Sequence, residues 1–504
     1  MKVKSSRNII SRSRIACVFG KSPSASTASA RRFLAALLFM PVLLFLESPC
    51  DASYTLCEAV SRALEHNHNI AAKSHALDAA VWAHRQAKAQ LFPSLSLQSS
   101  YTRLDDETVK RANSIGRELT FFYPDTAGNF QAETVEIPQT VFRNGFETQI
   151  TAQMLLFHPT VWNGVAATGA IKDAAYWQEI LTRQETAHQT VRAGIQLLKV
   201  YSLIEIQNEH LAQARENTAL AERLFSVGRY SEADVLRWRV EEARRQGELA
   251  QQENLRRVNA MSLENLLGEP SGGFLELDDH LPQPILDQID LFLGFDMNEW
   301  SDFESRPVNE IIENNPTLKI LNNSVRISDL ENQRSKTKLL PSLTLSGSYG
   351  WQNNNTLNLD GAKAWNASLV FSLPIFTSFS NYSEWQMTKR KVLQTREENE
   401  VAIRGLYLSA EAARSSIRSN TKLLLLAEAT LESARRNLEI MHSNYTLGRL
   451  TNLEWIDANL TLQEAEQIHS AAYYDLVLAI ADFFQSRGEI LELFSGTGAE
   501  GVSH

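Results

Sequence analysis

Apolar residues follow two different spacings along this chain, and each spacing predicts a different secondary structure. From Ile403 to Tyr445 they recur at alternating intervals of three and four positions over six heptads, interrupted by Asn420. A looser version of this stripe covers 197–225. Such a stripe is typical of a coiled-coil helix. It predicts a helix over about 381–447, on the order of 100 Å long at 1.5 Å per residue.

The second spacing is strict alternation of apolar and polar residues in short segments. In "WNASLVFSL", for example, Trp365, Leu369 and Phe371 share one face, and Asn366 and Ser368 share the other. Period-two patterning with one polar face predicts half-buried β-strands. These strands fit an antiparallel sheet on a soluble core, and they equally fit a lipid-facing barrel with an aqueous interior. The predicted strands begin near 94, 149, 342 and 365.

Parts of the chain occur twice in the same order. "ENNPTL" (313–318) resembles "EHNHNI" (65–70), and "LLPSLTLSGSY" (339–349) resembles "LFPSLSLQSSY" (91–101), with 248 positions between the copies in both cases. The motifs "VGRYSEAD" and "LGRLTNLE" are only 220 positions apart. The chain is therefore predicted to contain a duplicated, domain-sized unit. The first copy carries extra residues within 103–147.

The repeats divide the chain into five predicted parts. Each repeat should contain a helix, a β-hairpin and a helical hairpin. The parts are a signal peptide (1–52), a first repeat (53–270, with its β-hairpin at about 94–158 and its helical hairpin at about 160–268), a linker (271–306), a second repeat (307–488, with these hairpins at about 342–374 and 380–487) and a C-terminal tail (489–504).

Each glycine motif is predicted to be the turn of a helical hairpin. Gly228 and Gly448 suit a left-handed turn residue, and Ser231 and Thr451 suit N-caps of the returning helices. A C-cap alone would explain the glycines. It would leave the other residues that the two motifs share unexplained, so the two tips are interpreted as a docking surface.

The N-terminus predicts export. Eight basic residues and no acidic residue fall within 1–32, and the apolar run 33–46 that follows is too short to span a bilayer, which is typical of a secretory signal peptide. Cleavage after Ala52 is expected. Lipidation of Cys50 is an alternative, although Glu47 and Pro49 fit a lipobox poorly.

Charge and cysteine content narrow the functional classes. After the signal, 41 basic and 57 acidic residues give a net charge of −16, which disfavours nucleic-acid binding. Only Cys57 remains, so no internal disulfide is expected. The histidines are scattered, and no phosphate loop, zinc-ligand spacing or nucleophile elbow occurs. We therefore expect no enzyme activity, catalytic residue, cofactor or metal.

The chain resembles the TolC-type outer-membrane efflux proteins (outer membrane factors). The resemblance lies in the opening "YTLCEAVSRALEHNHNI", the two "PSL" strand starts, the two glycine tips and "LEWIDANLTLQEAEQ" after the second tip. It covers essentially all of 54–487. Three features depart from the family pattern: Cys57 replaces an acidic residue, His68 replaces a proline, and the first inter-strand segment is long.

This resemblance implies a mixed α and β membrane protein and a homotrimer. Each chain would give four strands to one 12-stranded β-barrel in the outer membrane of a Gram-negative bacterium. A long α-helical coiled-coil barrel would continue it into the periplasm. The implied partners are outer-membrane lipid, a periplasmic adaptor and, through the adaptor, an inner-membrane pump.

The resemblance also implies sites. Glu454 and Asp457, spaced i, i+3, would line a pore constriction as a ring of carboxylates. Tyr445 and Arg449 would tie one hairpin to the other and hold the entrance shut. The expected adaptor-binding tips are Val227, Gly228, Arg229, Tyr230 and Ser231 with Leu447, Gly448, Arg449, Leu450 and Thr451.

Three functions remain open at this stage. The first is a passive exit duct of a tripartite efflux system for small molecules. The second is the exit duct of a type I protein secretion system, which the sequence cannot separate from the first. The third is a periplasmic coiled-coil adaptor or scaffold without a barrel, which would not need two alternating hairpins.

Overall fold

The computed structural model describes residues 53–114, 118–136, 141–270, 272–354, 362–447 and 449–494. The predicted signal peptide with Cys50, the turn residue Gly448 and most of the predicted tail lie outside these ranges. No helix in the described ranges is both long enough and apolar enough to span a membrane.

The described residues are mostly helical, with six strands. The helices are α1 (Leu56–His66), α2 (His68–Ala89), α3 (Asp106–Ser114), α4 (Pro159–Ser226), α5 (Glu232–Leu267), α6 (Gln283–Gly294), α7 (Met297–Ser305), α8 (Val308–Ile312), α9 (Pro316–Thr337), α10 (Ser380–Thr446) and α11 (Asn452–Arg487), and a 3₁₀ turn covers Ile490–Phe494. The strands are β1 (Ser94–Arg103), β2 (Glu118–Pro124), β3 (Phe130–Glu136), β4 (Asn144–Phe157), β5 (Ser342–Asn353) and β6 (Ala362–Ser372).

Four strands form one antiparallel sheet in the order β1-β4-β5-β6. Its register places Leu97, Ile150, Tyr349 and Trp365 in one row across all four strands. The next row of the same face contains Leu95 and Ala152, whereas Ser96, Thr151, Ser348 and Asn366 form a row of the opposite face. The alternation predicted from the sequence therefore separates an apolar face from a polar face over most of the sheet. The main exceptions are Ser99, Thr148 and Lys363 on the apolar face and Leu155 and Val370 on the polar face.

Helix α10 buries the central part of the stripe that the sequence predicts. On α10, alternating three- and four-residue steps from Ala410 to Ala434 fall on buried residues. At Asn420 the stripe is only partly buried, and the amide donates to Ser416 Oγ at 3.1 Å. Helix α10 has 67 residues, which corresponds to about 100 Å at 1.5 Å per residue.

The first helical stretch of each half is two helices rather than one. Asn67 ends α1 and caps α2, because its Oδ1 accepts from the backbone N–H of Asn69 at 2.8 Å. Asn315 caps α9 in the same way, accepting from Thr317 N at 2.9 Å. The spacing of apolar residues did not predict these breaks. An asparagine ends a helix only where its side chain bonds the backbone, and spacing does not show this.

The same two asparagines hold the returning helices. Asn67 Nδ2 donates to Leu266 O at 3.0 Å, at the end of α5. Asn315 Nδ2 donates to Ser486 O at 2.9 Å, at the end of α11. Each side chain thus satisfies one carbonyl that a helix C-terminus leaves without an intrahelical partner. Both junctions border the main core, which contains Leu56, Ile195, Leu263, Ile312, Leu476 and Ile480.

A buried carboxylate fixes the start of the linker to α5. Glu264 is 5% exposed, and its two oxygens accept from four consecutive backbone N–H groups, those of residues 272–275, at 2.7–3.1 Å. Burial raises the pKa of Glu264, but the four donors together lower it by more, so that it lies below its ordinary value.

We predict that Glu264→Gln lowers the free energy of unfolding by about 2 kcal/mol at neutral pH, because a neutral amide accepts fewer and weaker hydrogen bonds than a carboxylate. A depressed carboxyl pKa stabilises the fold above the ordinary value of 4.5, and this contribution is lost as the pH falls through the folded-state pKa. The difference between variant and wild type should therefore shrink at acid pH. Thermal unfolding followed by circular dichroism measures it, and Glu253→Gln, on the exposed side of α5, is the control.

Candidate functional site at the helical hairpin tips

The first tip turns through a left-handed glycine. Gly228 has φ +71°, its N–H donates to Phe225 O at 2.9 Å, and Arg229 N–H donates to Leu224 O at 2.9 Å. This pair of bonds is the Schellman motif that ends many helices. A Cβ at Gly228 would meet nothing within 4 Å, so the backbone angle rather than lack of space requires glycine. At the second tip Arg449 N–H donates to Asn444 O at 2.9 Å.

Both returning helices begin with a capping box. Ser231 Oγ accepts from Asp234 N at 3.3 Å, and the Asp234 carboxylate accepts from Ser231 N at 3.1 Å. Thr451 and Glu454 repeat this arrangement at 3.3 and 2.8 Å. The Ser/Thr and Asp/Glu positions that the two motifs share therefore have a local structural role. The shared arginine is not part of either capping box.

The two predicted constriction residues differ in what their carboxylates contact. Glu454 is held by Thr451, whose backbone N–H and hydroxyl lower the pKa of Glu454. A ring of like charges would raise this pKa, so the capping bonds act in the opposite direction within one chain. Asp457 is exposed and forms no salt bridge within the described chain. Of the two, Asp457 has the carboxylate that is free to face a ligand or an ion.

Glu454 and Asp457 lie on one exposed face of α11, as their spacing predicts. This face continues in helical steps through Thr461 and Glu464, which are also exposed, while the opposite face buries Trp455 and Ala458.

A hydroxyl chain joins the two hairpins near their tips. Tyr230 Oη and Tyr445 Oη are 2.6 Å apart, and Tyr445 Oη donates to Asn452 Oδ1 at 2.7 Å. The Tyr445 ring also stacks on Trp455, with centroids 5.2 Å apart. Burial and the bond from Tyr230 raise the pKa of Tyr445, which keeps its phenol protonated. Tyr445 thus contacts the first hairpin through Tyr230, a partner that the sequence did not indicate, and its role in holding an entrance shut stays a prediction.

Arg449 does not take part in that chain. Its side chain is exposed and forms no salt bridge with any described residue, and the same holds for Arg229. Val227 and Leu447 are also exposed, at 68% and 63%, whereas Tyr230 and Leu450 are partly buried. The tips therefore present two free cations beside apolar side chains.

A shallow apolar groove lies between the starts of α5 and α11. Its volume is about 500 Å³, and Leu236, Val240 and Leu453 on its walls are each at least half exposed. This groove was not predicted from the sequence. Leu236 and Val240 stand four positions apart, and this spacing was the available signal.

One group within the described ranges has the composition of a metal site, and it lies in the linker rather than at the tips. It consists of Asp278, Asp279 and His280. His280 Nδ1 is 2.6 Å from an Asp278 oxygen and 2.9 Å from an Asp279 oxygen. Asp278 raises the pKa of His280 through this hydrogen bond. A protonated imidazole accounts for the cluster, and all its members are at least partly exposed.

Two helical hairpins with glycine tips, joined to a four-stranded sheet with one apolar and one polar face, are the architecture of a channel-forming outer-membrane protein. The chain belongs to the outer membrane efflux protein family, whose family model matches residues 59–269 and 308–489, well over half of the sequence.

Two bacterial relatives share part of the sequence. The chain is 26% identical over 158 residues to the outer membrane protein TolC of Vibrio cholerae serotype O1, a match covering 30% of this chain and 36% of TolC. It is 20% identical over 313 residues to the alkaline protease secretion protein AprF of Pseudomonas aeruginosa, covering 60% of this chain and 63% of AprF. The matches thus span less than two thirds of either relative.

Solved structures share the fold over most of the chain. The Campylobacter jejuni CmeC outer membrane channel superposes with a TM-score of 0.69 at 16% identity, covering 86% of each chain. The outer membrane protein VceC of Vibrio cholerae gives a TM-score of 0.69 at 15% identity, covering 86% of this chain and 96% of VceC. At this identity the likeness establishes the fold.

Proposed function

We propose that this protein is the passive outer-membrane exit duct of a tripartite efflux system and works as a homotrimer. The sheet carries this proposal. Its outer strands β1 and β6 each leave one edge without a partner, and their side chains are exposed throughout. An open edge with an apolar face is not tolerated in lipid.

Three copies would remove every open edge. In the order β1-β4-β5-β6 the first and last strands run antiparallel, and they have similar lengths of 10 and 11 residues. The β1 strand of one copy can therefore pair with the β6 strand of the next, and three sheets of four strands would close a 12-stranded barrel. The apolar face would meet lipid, and the helical hairpins would extend into the periplasm.

The proposal keeps the division of the chain made from the sequence: signal peptide 1–52, repeats 53–270 and 307–488, linker 271–306 and tail 489–504. Both halves contain two short helices, a pair of sheet strands and a helical hairpin in that order, which supports a duplication.

The polar face of the sheet would line the lumen and would select weakly. It carries uncharged side chains, with Glu147 as its one charge among the described strand residues. These side chains are Ser94, Ser96, Gln98, Ser100, Gln149, Thr151, Gln153, Thr344, Ser346, Ser348, Asn366 and Ser368. Energy for transport would then come from the pump that the adaptor connects to the duct.

Membrane fractionation and native mass determination test this proposal. The processed protein should fractionate with outer membranes, require detergent for extraction and run as a trimer that heating dissociates. A stable monomer that remains soluble without detergent would refute both the barrel and the duct.

The exposed carboxylates near the second tip are proposed to form the pore constriction. We predict that Asp457→Asn lowers the cation preference of the channel several-fold in planar bilayers, because three carboxylates leave the entrance. Glu454→Gln should have a smaller effect on selectivity, since that carboxylate is engaged in the cap. Glu464→Gln, further along the same exposed face, is the control. Equal selectivity in Asp457→Asn and wild type would exclude Asp457 from the constriction.

The tips are proposed as the adaptor-binding surface: residues 227–231 of the first and 447–451 of the second, each with a free arginine beside exposed apolar side chains. We predict that Arg229→Glu reduces cross-linking to the adaptor and transport at least tenfold, because reversal of a free cation repels an acidic partner surface. Arg404→Glu, on an exposed position of α10, should change neither. Unchanged cross-linking in Arg229→Glu would remove this tip from the interface.

A second candidate is the exit duct of a type I protein secretion system. The match to AprF, a protein named for protease secretion, favours this candidate, and it covers 60% of this chain. Deletion of the chromosomal gene distinguishes the two, since loss of a secreted protein from the medium indicates secretion and increased sensitivity to small toxic compounds indicates efflux. Membership of the outer membrane efflux protein family makes the third possibility, a periplasmic scaffold, the weakest.

A further inference from the structure

The long segment between β1 and β4 contains a β-hairpin of its own. Strands β2 and β3 pair antiparallel over seven positions, and Asp125 closes the turn by accepting from Ala127 N at 2.8 Å and Asn129 N at 2.9 Å. The second half of the chain has no counterpart in its described residues. An isolated two-stranded hairpin is marginal in water.

The described residues on either side of this hairpin are attached to the sheet. Leu104 N–H donates to Arg143 O at 2.8 Å, and Arg143 forms a 2.7 Å salt bridge with Asp106 at the start of α3. Asn113, at the end of α3, exchanges hydrogen bonds with the backbone of Val141 at 2.7 and 3.1 Å. Helix α3 is therefore fixed at the end of the β1–β4 pair.

Each face of the hairpin carries several large apolar side chains that nothing covers. Leu119, Phe121 and Tyr123 share one face with Val135, beside the polar Gln131 and Glu133, and Phe122, Pro124 and Phe130 share the other, beside Thr120 and Thr134, as the register requires. Phe122 and Phe130 are 70% and 75% exposed. From Glu118 to Val135 every side chain is exposed except Asp125, which is partly buried. A ribbon with two apolar faces needs a neighbour on each side.

We infer that the β2–β3 hairpin packs between copies of this chain, with one face on the preceding copy and the other on the following copy. The inference rests on the proposed trimer. A ring built by a rotation axis uses two different patches of each subunit, which is what a two-faced ribbon supplies. Continuity supports it as well, because the segment that contains the hairpin follows β1 in the chain, and β1 is an outer strand that would meet the next copy.

Charge favours another copy over an anionic lipid or polysaccharide surface. The residues of 118–136 include acids but no lysine or arginine. Lys110 and Arg111 on α3 are exposed and form no salt bridge within the described residues, and neither does Glu133 of the hairpin. An acidic hairpin beside unpaired cations on α3 is self-complementary between copies, whereas an anionic surface would repel it.

Cross-linking between two differently tagged copies tests the inference. All copies carry Cys57→Ser. The copy with one tag also carries Phe121→Cys, the copy with the other tag carries Phe130→Cys, and the two copies are co-expressed. A short bis-maleimide reagent is then applied to membranes. We expect a product carrying both tags at least fivefold above that of matched co-expressions in which both tags carry Phe121→Cys or both carry Phe130→Cys. The substituted side chains are exposed, so the fold should be unaffected.

The outcomes separate this inference from the proposed trimer. If the mixed pair links no better than the matched pairs while native detergent complexes remain trimeric, the hairpin does not lie between copies and the inference is overturned. Links to a protein of different mass in place of the mixed product would also overturn it. If the wild-type protein itself is not trimeric in native detergent complexes, the proposed function is refuted instead.

Discussion

Replacing Tyr445 with Phe is expected to open the periplasmic entrance. The substitution keeps the ring on Trp455 and removes the oxygen that joins Tyr230 to Asn452. Loss of a partly buried hydrogen bond costs about 1 to 2 kcal/mol. Because about 1.4 kcal/mol is a factor of ten in an equilibrium, each copy should favour the open entrance about tenfold, and three copies more.

Single-channel conductance in planar bilayers measures this effect, and the open fraction should rise by at least tenfold. Tyr230→Phe should act in the same direction, and the double variant should add little because both oxygens belong to one bond. Tyr473→Phe, a partly buried tyrosine of α11, is the matched control. The raised pKa of Tyr445 keeps its phenol protonated and its hydrogen bonds intact at neutral pH. These bonds weaken as the pH rises through the raised pKa. The wild type should therefore not open between about pH 6 and 9, a range that lies below even an ordinary tyrosine pKa of about 10. Wild-type conductance in Tyr445→Phe would contradict a gating role.

The second large effect is expected for Gly488→Ala at the end of α11. Gly488 has φ +78°, and a Cβ there would lie 2.9 Å from Asn315 Cα and 2.9 Å from Pro316 Cδ. The left-handed angle costs a non-glycine residue about 1 kcal/mol. The forced contact with the α8–α9 junction adds about 1 to 3 kcal/mol, because that backbone is held by Asn315. We expect a total loss of about 3 kcal/mol.

Gly228→Ala separates these two contributions. Gly228 also has a left-handed angle, φ +71°, but a Cβ there has no neighbour within 4 Å. It should lose only the conformational part, about 1 kcal/mol. The apparent unfolding midpoints of both variants, compared in detergent at one scan rate, give the difference. Equal midpoints would show that the backbone around Asn315 moves to accept the added methyl group without a loss of stability.

Much of the fold could be predicted from the sequence because its signals are local and repeated. The heptad stripe of α10 and the alternation in β5 and β6 each extend over enough residues to outweigh exceptions such as Asn420. The glycine tips could be located because their motif occurs twice in the chain. The hairpin β2–β3 was missed, since its apolar residues sit in adjacent runs such as "TFFYP" that match neither period.

The candidate site was predictable only in part. The spacing of Glu454 and Asp457 correctly placed both on one exposed face, because helical geometry converts spacing into direction. The same spacing could not reveal that Glu454 is engaged by Thr451, since an acid three residues after a threonine suits either role. Arg449 was expected to link the hairpins, and its prediction as a gate residue rests on the family resemblance alone.

The sequence by itself determined the length of the second long helix and the two faces of the strands in the four-stranded sheet, because these depend on the order of neighbouring residues. Only the tertiary structure decided which distant polar groups meet. Asn67 reaches a carbonyl 199 positions away, and Tyr230 reaches a hydroxyl 215 positions away. Such contacts leave no trace in the apolar periodicity, because each depends on a single polar side chain that the folded helices bring within bonding distance of a distant group.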